Sequence, residues 1–359
     1  MELQYRIKQI PEDFRVEELP AHRLLESQGA TKGAFVYFRL RKRNYTTLAA
    51  LQALAHWLGI PLKAFGFAGN KDRHAVTGQF CSARGGHHAK RLGLFRHQDI
   101  EVSVVGRGDI PLSLGELEGN CFEIVVRGLP PGRNYEEYFL TSKIQIPNYF
   151  DEQRFSTQNV PVGRALVKKE FAKACALIRE SDNEFSGALT SHLQSFPQDV
   201  IGALQKLPQR ILVLYIHAYQ SYLFNELLSA HVLQHAPVVR AVHYSLGQFV
   251  FPLKRMEEIM LPVPGFGTEL KDSPLARKME ELLMREGITL RDFIIREIPR
   301  LSAEGGLREG FVAAENFSCS AHVDDELNPG RKKTELRFSL PKGSYATMVV
   351  RQVMLESQG

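Results

Sequence analysis

The chain has 359 residues, of which 44% are hydrophobic and 24% are charged, an ordinary composition for a globular protein, and its formal net charge of +5 is modestly basic. This length exceeds the size at which single hydrophobic cores usually stop growing, which predicts two domains. No apolar run approaches the roughly 20 residues of a membrane span, and Met1–Arg6 contains no apolar signal core. We therefore expect a cytoplasmic protein without a membrane anchor.

The first predicted elements are strands and one helix. Phe35–Leu40 is an aromatic and β-branched run that predicts a strand. Thr46–Leu58 predicts a helix, with threonines for capping, leucines along one side and Gly59 as a stop. Asp99–Val105 and Cys121–Arg127 predict two further strands, because apolar residues alternate with polar ones.

From about residue 159 to residue 305 the sequence has a different character. Ala165–Ser181 and Gln209–His235 predict long helices, Leu261–Gly267 predicts a turn, and strand patterns return at Phe311–Ala314 and Thr334–Leu340. The simplest explanation is an α/β (α+β) fold: one sheet built from N-terminal and C-terminal pieces, with a mostly helical domain inserted between them.

The cysteines argue against a metal site or a disulfide framework. The four of them are far apart and form no C-x-x-C pair: Cys81, Cys121, Cys175 and Cys319. His87 and His88 are adjacent, so their side chains point in different directions and are poorly placed to chelate one ion. We expect these histidines to face solvent or RNA, and we expect no bound metal.

The segment Phe67–Gln79 contains the most informative residues. Asp72 stands between Lys71 and Arg73, just after the turn-forming pair Gly69-Asn70. Flanking cations favour the ionised carboxylate, which fits either a carboxylate nucleophile or an ordinary surface ion cluster. The guanine-binding Asn-Lys-x-Asp motif of GTPases has an intervening residue, and the chain has no phosphate-binding Gly-x-x-x-x-Gly-Lys-Ser/Thr loop. A nucleotidase is therefore disfavoured.

The same segment resembles the signature of the tRNA pseudouridine synthase D (TruD) family, Ala-Gly-x-Lys-Asp-(Arg/Lys)-x-Ala-Val-Thr-x-Gln. Further segments resemble this family in the same order: Lys8 with Pro11–Glu18, Leu40–Thr47, Gly119–Phe122, Pro147–Phe155, Tyr219–Asn225 and Leu340–Thr347. Two positions depart from the family pattern. Thr46-Thr47 stands where Asn-Thr is usual, and Ser156 stands where Gly is frequent.

The resemblance implies a pseudouridine-synthase sheet core, mixed or antiparallel and flanked by helices. It implies a discontinuous catalytic domain, residues 1–157 and 306–359, and a mostly helical α/β TruD-specific insertion domain, residues 158–305. It also implies conversion of uridine to pseudouridine in tRNA, usually at uridine 13 of the D arm. Because this isomerisation involves no redox step and no net hydrolysis, we expect no cofactor. We expect tRNA as the partner and a monomer that requires no other protein.

The resemblance assigns the catalytic role to Asp72. A carboxylate with an ordinary pKa of about 3.9 is ionised at neutral pH. It could add to the ribose C1′ or to uracil C6, or it could act as a base on the ribose. The sequence does not distinguish these routes.

The target base has to be flipped out of folded RNA into a pocket. The family places aromatic pocket residues at the positions of Phe122 and Tyr345. Phe122 alternates with Ile124 and Val126, however, so it could equally be a core residue of a strand. Asn120 is a candidate for hydrogen bonds to the nucleotide, with a turn-capping role as the alternative. Lys8 is a candidate for orienting Asp72 or for contacting the target phosphate.

Basic residues are the candidates for binding the RNA backbone. Lys71 and Arg73 flank Asp72 and are predicted to contact the substrate. A weaker prediction of a phosphate track concerns six further residues, namely Arg41, Lys42, Arg43, Arg84, Lys90 and Arg91. Each of these could instead be an ordinary solvated side chain. Arg154 could bind phosphate or fix the hinge into the insertion, and the hinge role is preferred.

Two other functional classes are compatible with the sequence. A non-catalytic RNA-binding protein or RNA chaperone would have the same basic surface. A hydrolase acting on a small glycoside would need a second carboxylate as proton donor. Since the signature contains no second acid, the hydrolase is disfavoured.

Overall fold

The computed structural model describes residues 5–132, 142–156, 158–181, 185–270 and 273–356. Within these residues no helix combines the length and the apolar character needed to cross a bilayer. The chain forms two compact units. One comprises Leu3–Ile144 with Ala313–Gly359, and the other comprises Gln145–Val312. The junctions at 144/145 and 312/313 lie 13 and 7 residues from the predicted domain boundaries at 157/158 and 305/306.

The elements are numbered along the chain. The strands are β1 (Phe14–Pro20), β2 (Phe35–Arg43), β3 (Phe65–Phe67), β4 (Val76–Arg84), β5 (Ile100–Gly108), β6 (Leu117–Leu129), β7 (Lys143–Pro147), β8 (Val239–Tyr244), β9 (Gly247–Pro252), β10 (Met260–Val263), β11 (Gly306–Glu309), β12 (Phe311–Cys319), β13 (Val323–Asp324) and β14 (Lys332–Pro341). The helices are α1 (His22–Glu26), α2 (Thr47–Leu58), α3 (Ala89–Gly93), α4 (Asn159–Val167), α5 (Phe171–Glu180), α6 (Ser186–Ser195), α7 (Val200–Gln205), α8 (Gln209–His235), α9 (Pro274–Glu286) and α10 (Ala346–Glu356).

A single mixed sheet organises the first unit. Its strand order is β5-β2-β4-β1-β6-β14-β12-β7, and β3 and β13 pair with β4 and β14. Strand β1 is parallel to β4 and antiparallel to β6, and β6 is antiparallel to β14. The sheet therefore combines N-terminal and C-terminal strands, and the predicted α/β (α+β) class with a mixed sheet and flanking helices is confirmed.

Helix α2 covers one face of this sheet, and its local sequence explains its ends. The Thr46 hydroxyl accepts a hydrogen bond from the Ala49 N–H at 3.1 Å and caps the N-terminus. Gly59 ends the helix in the left-handed region at φ 72°. The apolar side of α2 packs on Val36, Phe38 and other inward residues of β2 and β4. The helix predicted at Thr46–Leu58 is thus present, with Thr46 as its cap.

The second unit is mostly helical. It contains α4 to α9 and two small antiparallel ribbons, β8 with β9 and β10 with β11. The 27-residue helix α8 has the bounds that the sequence predicted, Gln209–His235. Most of its side chains between Leu212 and Val232 are buried, and α4 packs closely on it.

Two predictions within this unit were wrong in detail. The single helix predicted at Ala165–Ser181 is broken into α4 and α5, because Lys169 adopts a left-handed φ of 60° and ends the hydrogen-bond pattern. The turn predicted at Leu261–Gly267 begins as strand β10. Pro262 is tolerated there because a two-stranded ribbon leaves free edges.

Candidate active site

Asp72 lies on the loop formed by residues 68–75, which connects β3 with β4 in the first unit. Its side chain is 43% exposed. The loop therefore presents a carboxylate that a macromolecular substrate can reach.

Lys8 is the cationic partner of this carboxylate. Its Nζ donates a hydrogen bond to Asp72 Oδ2 at 2.6 Å, and its side chain is only 17% exposed. The same ammonium lies 4.0 Å from the centre of the Phe14 ring, so one wall of its environment is aromatic. The sequence made Lys8 a candidate for orienting Asp72 or for contacting the target phosphate, and the fold brings the two side chains together.

The main chain at Lys8 is held in a conformation that is unusual for a lysine. Its φ is 58°, in the left-handed region that normally costs about 1 kcal/mol or more for a side chain with a Cβ atom. On one side of Lys8, Arg6 and Arg127 exchange two backbone hydrogen bonds of 2.9 and 2.8 Å. On the other side, the Asp13 carboxylate accepts a bond from Arg127 Nε at 2.8 Å. Arg127 thus fixes the segment on both sides of Lys8.

Arg127 is itself buried, 3% exposed, and its second nitrogen Nη1 binds Asp325 at 2.8 Å. Burial alone would raise the pKa of Asp325. Hydrogen bonds from the Gly128 N–H, the Asn328 amide and Arg127 instead lower it to about 2. This group of buried charges anchors the N-terminal segment to β6 and to the residues between β13 and β14.

Lys71 is turned towards the protein interior in this structure, and its predicted substrate-binding role stays a prediction. Its Nζ forms a 2.7 Å ion pair with Glu18, and the two side chains are only 8% and 1% exposed. The other oxygen of Glu18 accepts the Phe80 N–H at 3.2 Å. The pair joins the loop of Asp72 to β1 and β4, so the cation next to the candidate catalyst is a structural one.

Lys42 is also buried, which corrects its predicted place in a phosphate track. It is 1% exposed, and its Nζ donates to the backbone oxygens of Tyr45, Lys71 and Asp72 at 2.6, 3.4 and 2.9 Å. Burial lowers the pKa of Lys42 to about 8. No side of its ammonium is left for RNA.

Two polar side chains that the sequence analysis did not select complete the support of the loop. Thr47 accepts the Lys71 N–H at 3.1 Å and donates to Gln79 Oε1 at 2.8 Å. Gln79 Nε2 then donates to the Gly69 carbonyl at 3.0 Å. Gln79 is the last residue of the signature segment, and this position is the sequence signal that could have identified it as a site residue. Thr47 had been interpreted only as a helix-capping residue.

The pairing register places the predicted pocket residues on one face of the sheet. Glu18 lies opposite Asn120, and Val16 lies opposite Phe122, so the side chains of Asn120 and Phe122 share a face with Glu18. Lys71 binds Glu18 on that face. Asn120 and Phe122 therefore lie on the same side of the sheet as the loop that carries Asp72.

Phe122 belongs to a row of aromatic rings. Its ring centre is 6.2 Å from that of Phe14, edge to face, and 5.4 Å from that of Phe338, stacked. Phe14 in turn contacts the Lys8 ammonium. Phe122 is 8% exposed, so it is packed as a core residue while it lies one ring away from the Lys8–Asp72 pair.

Asn120 carries an unsatisfied polar atom. Its Oδ1 is buried and accepts no hydrogen bond from the part of the chain that the structure describes. A buried amide oxygen without a donor costs free energy, and such atoms are rare in folded proteins. Among the described residues, Asn120 Oδ1 is therefore a buried acceptor whose donor is missing.

Tyr345 is half-buried and follows the turn at Gly343, whose φ is 80°. The neighbouring Lys342 donates its N–H to Glu118 O and its Nζ to Gly115 O, both at 3.1 Å. Gly115 N–H then donates to Ala68 O at 2.7 Å. The turn before Tyr345 is thus connected through the residues preceding β6 to the start of the Asp72 loop.

The remaining basic candidates fall into separate groups. Arg73, Arg41 and Arg43 are exposed, and Arg43 pairs with Glu12 at 2.5 Å and with Asp99 at 3.5 Å. Arg84 ends β4, roughly 26 Å from Val76 along an extended strand.

Lys90 and Arg91 follow in α3, and Arg91 donates to the carbonyls of Trp57 and Leu58 at the end of α2. Arg154 belongs to the second unit, where its guanidinium lies 6.0 Å from the Phe150 ring centre. RNA binding by these residues and by Arg84 stays a prediction.

Known proteins resemble this chain over nearly its whole length. The family model of tRNA pseudouridine synthase D (TruD) matches residues 2–185, 180–250 and 250–353. The chain is 32% identical to a protein of Methanopyrus kandleri described as a probable tRNA pseudouridine synthase D, over 93% of this chain and 89% of that one. It is 30% identical to the tRNA pseudouridine synthase D of Aquifex aeolicus, over 97% of both chains. A crystal structure of a TruD chain from Methanosarcina mazei matches with a TM-score of 0.74 and 26% identity, covering 99% of this chain and 94% of that chain.

Fold, family model and relatives therefore agree on the class of protein, a pseudouridine synthase that modifies tRNA. The chain belongs to the tRNA pseudouridine synthase D (TruD) family.

Proposed function

We propose that this protein isomerises uridine 13 in the D arm of tRNA to pseudouridine, with Asp72 as the catalytic carboxylate. The observation that carries the proposal is the exposed Asp72 side chain held at 2.6 Å by the partly buried Lys8 ammonium. A charge-assisted hydrogen bond of this length holds the carboxylate in one orientation, which the reaction requires. Membership of the TruD family supplies the reaction class.

The isomerisation is balanced without a cofactor. The bond between ribose C1′ and uracil N1 breaks, a bond between C1′ and C5 forms, and the proton lost from C5 is matched by one gained at N1. Asp72 can add to C1′, add to C6, or remove a proton from the ribose. All three routes need a carboxylate with a fixed position, and the hydrogen bond from Lys8 supports this requirement.

The flipped uracil needs an apolar wall and a polar edge. We assign the wall to Tyr345 and to the ring row that contains Phe122, and the edge to Asn120. The unsatisfied Oδ1 of Asn120 supports this assignment, because it can accept the imide N–H of the base. Phe122 can serve both as packing for the sheet and as the floor of the pocket.

The proposed RNA contacts next to the site come from exposed cations. Arg73 follows Asp72 directly, and Arg41 and Arg43 end the neighbouring strand β2. Recognition by the shape of the folded tRNA would use such contacts to phosphates. We further propose that residues 1–157 and 306–359 act as the catalytic domain, that residues 158–305 act as the insertion, and that the enzyme works as a cytoplasmic monomer.

The test uses Asp72→Asn and an undermodified tRNA. The wild type should form pseudouridine at position 13, and the variant should lose at least about 1,000-fold in rate while it keeps its tRNA affinity. Asp324→Asn is a matched control, since Asp324 also pairs with a lysine, Lys332 at 2.8 Å, but is 93% exposed. It should retain wild-type activity.

The readout is the position and yield of pseudouridine in the RNA. A wild-type protein that binds tRNA but leaves every uridine unchanged would support the non-catalytic RNA-binding protein. Conversion at another position would reject uridine 13 while keeping the enzyme class. An active Asp72→Asn variant would reject the assigned catalyst.

A further inference from the structure

Packing alone does not explain why a lysine is buried at position 42. The side chain is 1% exposed, and among the described residues no carboxylate lies within ion-pair distance of its Nζ. A buried ammonium without a directly contacting anion is unfavourable for folding. A hydrophobic side chain of similar length would fill the same space at a lower cost.

The hydrogen bonds of Lys42 show where its charge is directed. Its three N–H groups match three backbone carbonyls, those of Tyr45 at 2.6 Å, Asp72 at 2.9 Å and Lys71 at 3.4 Å. Tyr45 precedes helix α2, whereas Lys71 and Asp72 belong to the active-site loop. One cation thus ties the loop to the rigid sheet and to the start of a helix.

The pairing of β2 with β4 shows which side chains of the sheet contact the active-site loop. Lys42 lies opposite Thr77 of β4, and Gln79, two residues further along, supports Gly69 of the same loop. Lys42 and Gln79 thus hold the loop at its centre and near its beginning.

We propose that Lys42 is a positioning residue for Asp72, whose ammonium fixes the Asp72 main chain by hydrogen bonds and holds the active-site loop against the sheet. The inference rests on the proposed catalytic role of Asp72. It assigns the two cations distinct tasks: Lys8 binds the carboxylate itself, and Lys42 binds the peptide group behind it.

Lys42→Met tests this role, because methionine has a similar length and no charge. We expect kcat to fall about 100-fold, KM for tRNA to change by no more than about twofold, and the urea midpoint to stay equal or rise. A residue needed only for folding would give a lower midpoint and would leave kcat per folded molecule unchanged. Lys63→Met, at an exposed lysine of the same unit, should leave all three quantities unchanged.

Lys42→Gln separates the charge from the hydrogen bonding, since glutamine keeps one amide donor. The charged groups facing Lys42 are Asp72 and Lys71 of the loop, and Cys81 is its titratable neighbour on β4. Lys71 is neutralised by Glu18, and Lys8 acts on Asp72 from the other side. In Lys42→Gln, kcat should fall less than in Lys42→Met, because one amide donor to the loop carbonyls remains. Wild-type kcat in both variants overturns the proposal.

Hydrogen exchange provides a readout that does not depend on activity. Amides of residues 69–75 should exchange faster in Lys42→Met than in the wild type, while those of β6 stay protected. Unchanged exchange together with unchanged kcat would overturn the proposal. If the wild type does not modify tRNA, the proposed function fails by itself, and the exchange experiment still decides whether Lys42 positions the loop.

Discussion

Lys8 and Asp72 are 64 positions apart in the chain, and the fold places Lys8 Nζ 2.6 Å from Asp72 Oδ2. The lysine comes from the segment before β1 and the carboxylate from the loop before β4. Because β1 and β4 are parallel neighbours, both residues precede adjacent strands at the same edge of the sheet. The parallel pairing in the centre of a largely antiparallel sheet is what makes this ion pair possible.

Replacing Lys8 should impair the reaction more than the fold. We expect Lys8→Met to lower kcat by about 100-fold, because the carboxylate loses its orienting partner. Lys8→Arg should restore part of this loss, since an arginine keeps the charge but has a different geometry. Single-turnover conversion of tRNA measures the effect. Lys32→Met, at an exposed lysine of the same unit, is the control. Equal single-turnover rates for Lys8→Met and wild type would contradict the role of Lys8.

The buried pair of Glu18 and Lys71 should contribute strongly to stability. Removing one partner, as in Glu18→Gln, leaves an uncompensated buried charge and should cost about 3–5 kcal/mol in the free energy of unfolding. Glu17→Gln on the same strand is the matched control. Glu17 pairs with Arg39 at 2.6 Å, but both side chains are at least 40% exposed, so the cost should stay below about 1 kcal/mol. Urea denaturation compares the two variants. Similar costs would show that burial of the Glu18–Lys71 pair has no energetic consequence.

Asp325 should make the protein sensitive to acid. Against the effect of burial, hydrogen bonds lower the pKa of Asp325 from its ordinary value of 3.8 to about 2 in the folded state. The unfolded chain therefore takes up a proton first as the pH falls, and stability is lost between about pH 4 and pH 2. The shift corresponds to roughly 2 kcal/mol. In Asp325→Asn this part of the pH dependence should disappear, as measured by urea midpoints between pH 2 and pH 6. Parallel curves for the variant and the wild type would exclude this contribution.

Two helix glycines should respond to alanine in opposite directions. A Cβ atom at Gly163 of α4 would lie 2.1 Å from the Tyr215 carbonyl of α8, so Gly163→Ala should push these helices apart and cost about 1–3 kcal/mol. A Cβ atom at Gly187 of α6 meets nothing within 4 Å, and Gly187→Ala should stabilise by up to about 1 kcal/mol. Thermal unfolding of both variants is the measurement. Destabilisation by Gly187→Ala would contradict the propensity argument, and a neutral Gly163→Ala would contradict the close helix contact.

The elements that the sequence predicted well depend on local patterns. Helix α8 has the predicted bounds, and α2 has the predicted cap and the predicted glycine stop. Apolar periodicity and end signals lie within a few residues of each other, so the sequence contains them directly. The break between α4 and α5 was missed because nothing in the local pattern requires the left-handed conformation of Lys169.

The sequence predicted several residues of the candidate site, but it did not predict which of them contact one another or which role each has. Lys71 and Lys42 were expected to contact substrate or RNA, whereas Lys8 was expected to orient Asp72 or to contact the target phosphate. The structure buries Lys71 against Glu18, which is 53 positions away, and buries Lys42 under the loop. Thr47 and Gln79 are 32 positions apart and meet only after the sheet forms. Such pairings depend on tertiary contacts, and a single sequence does not reveal them.

The order of strands in the sheet bears on how the protein is made. Strand β14 lies between β6 and β12, yet it is the last strand to leave the ribosome. Asp325, which binds Arg127 and so helps to fix the N-terminal segment, is likewise synthesised after most of the strands. A nascent chain that already displays both the lysine and the aspartate would therefore lack an organised reaction centre until β14 and the residues around Asp325 have been synthesised.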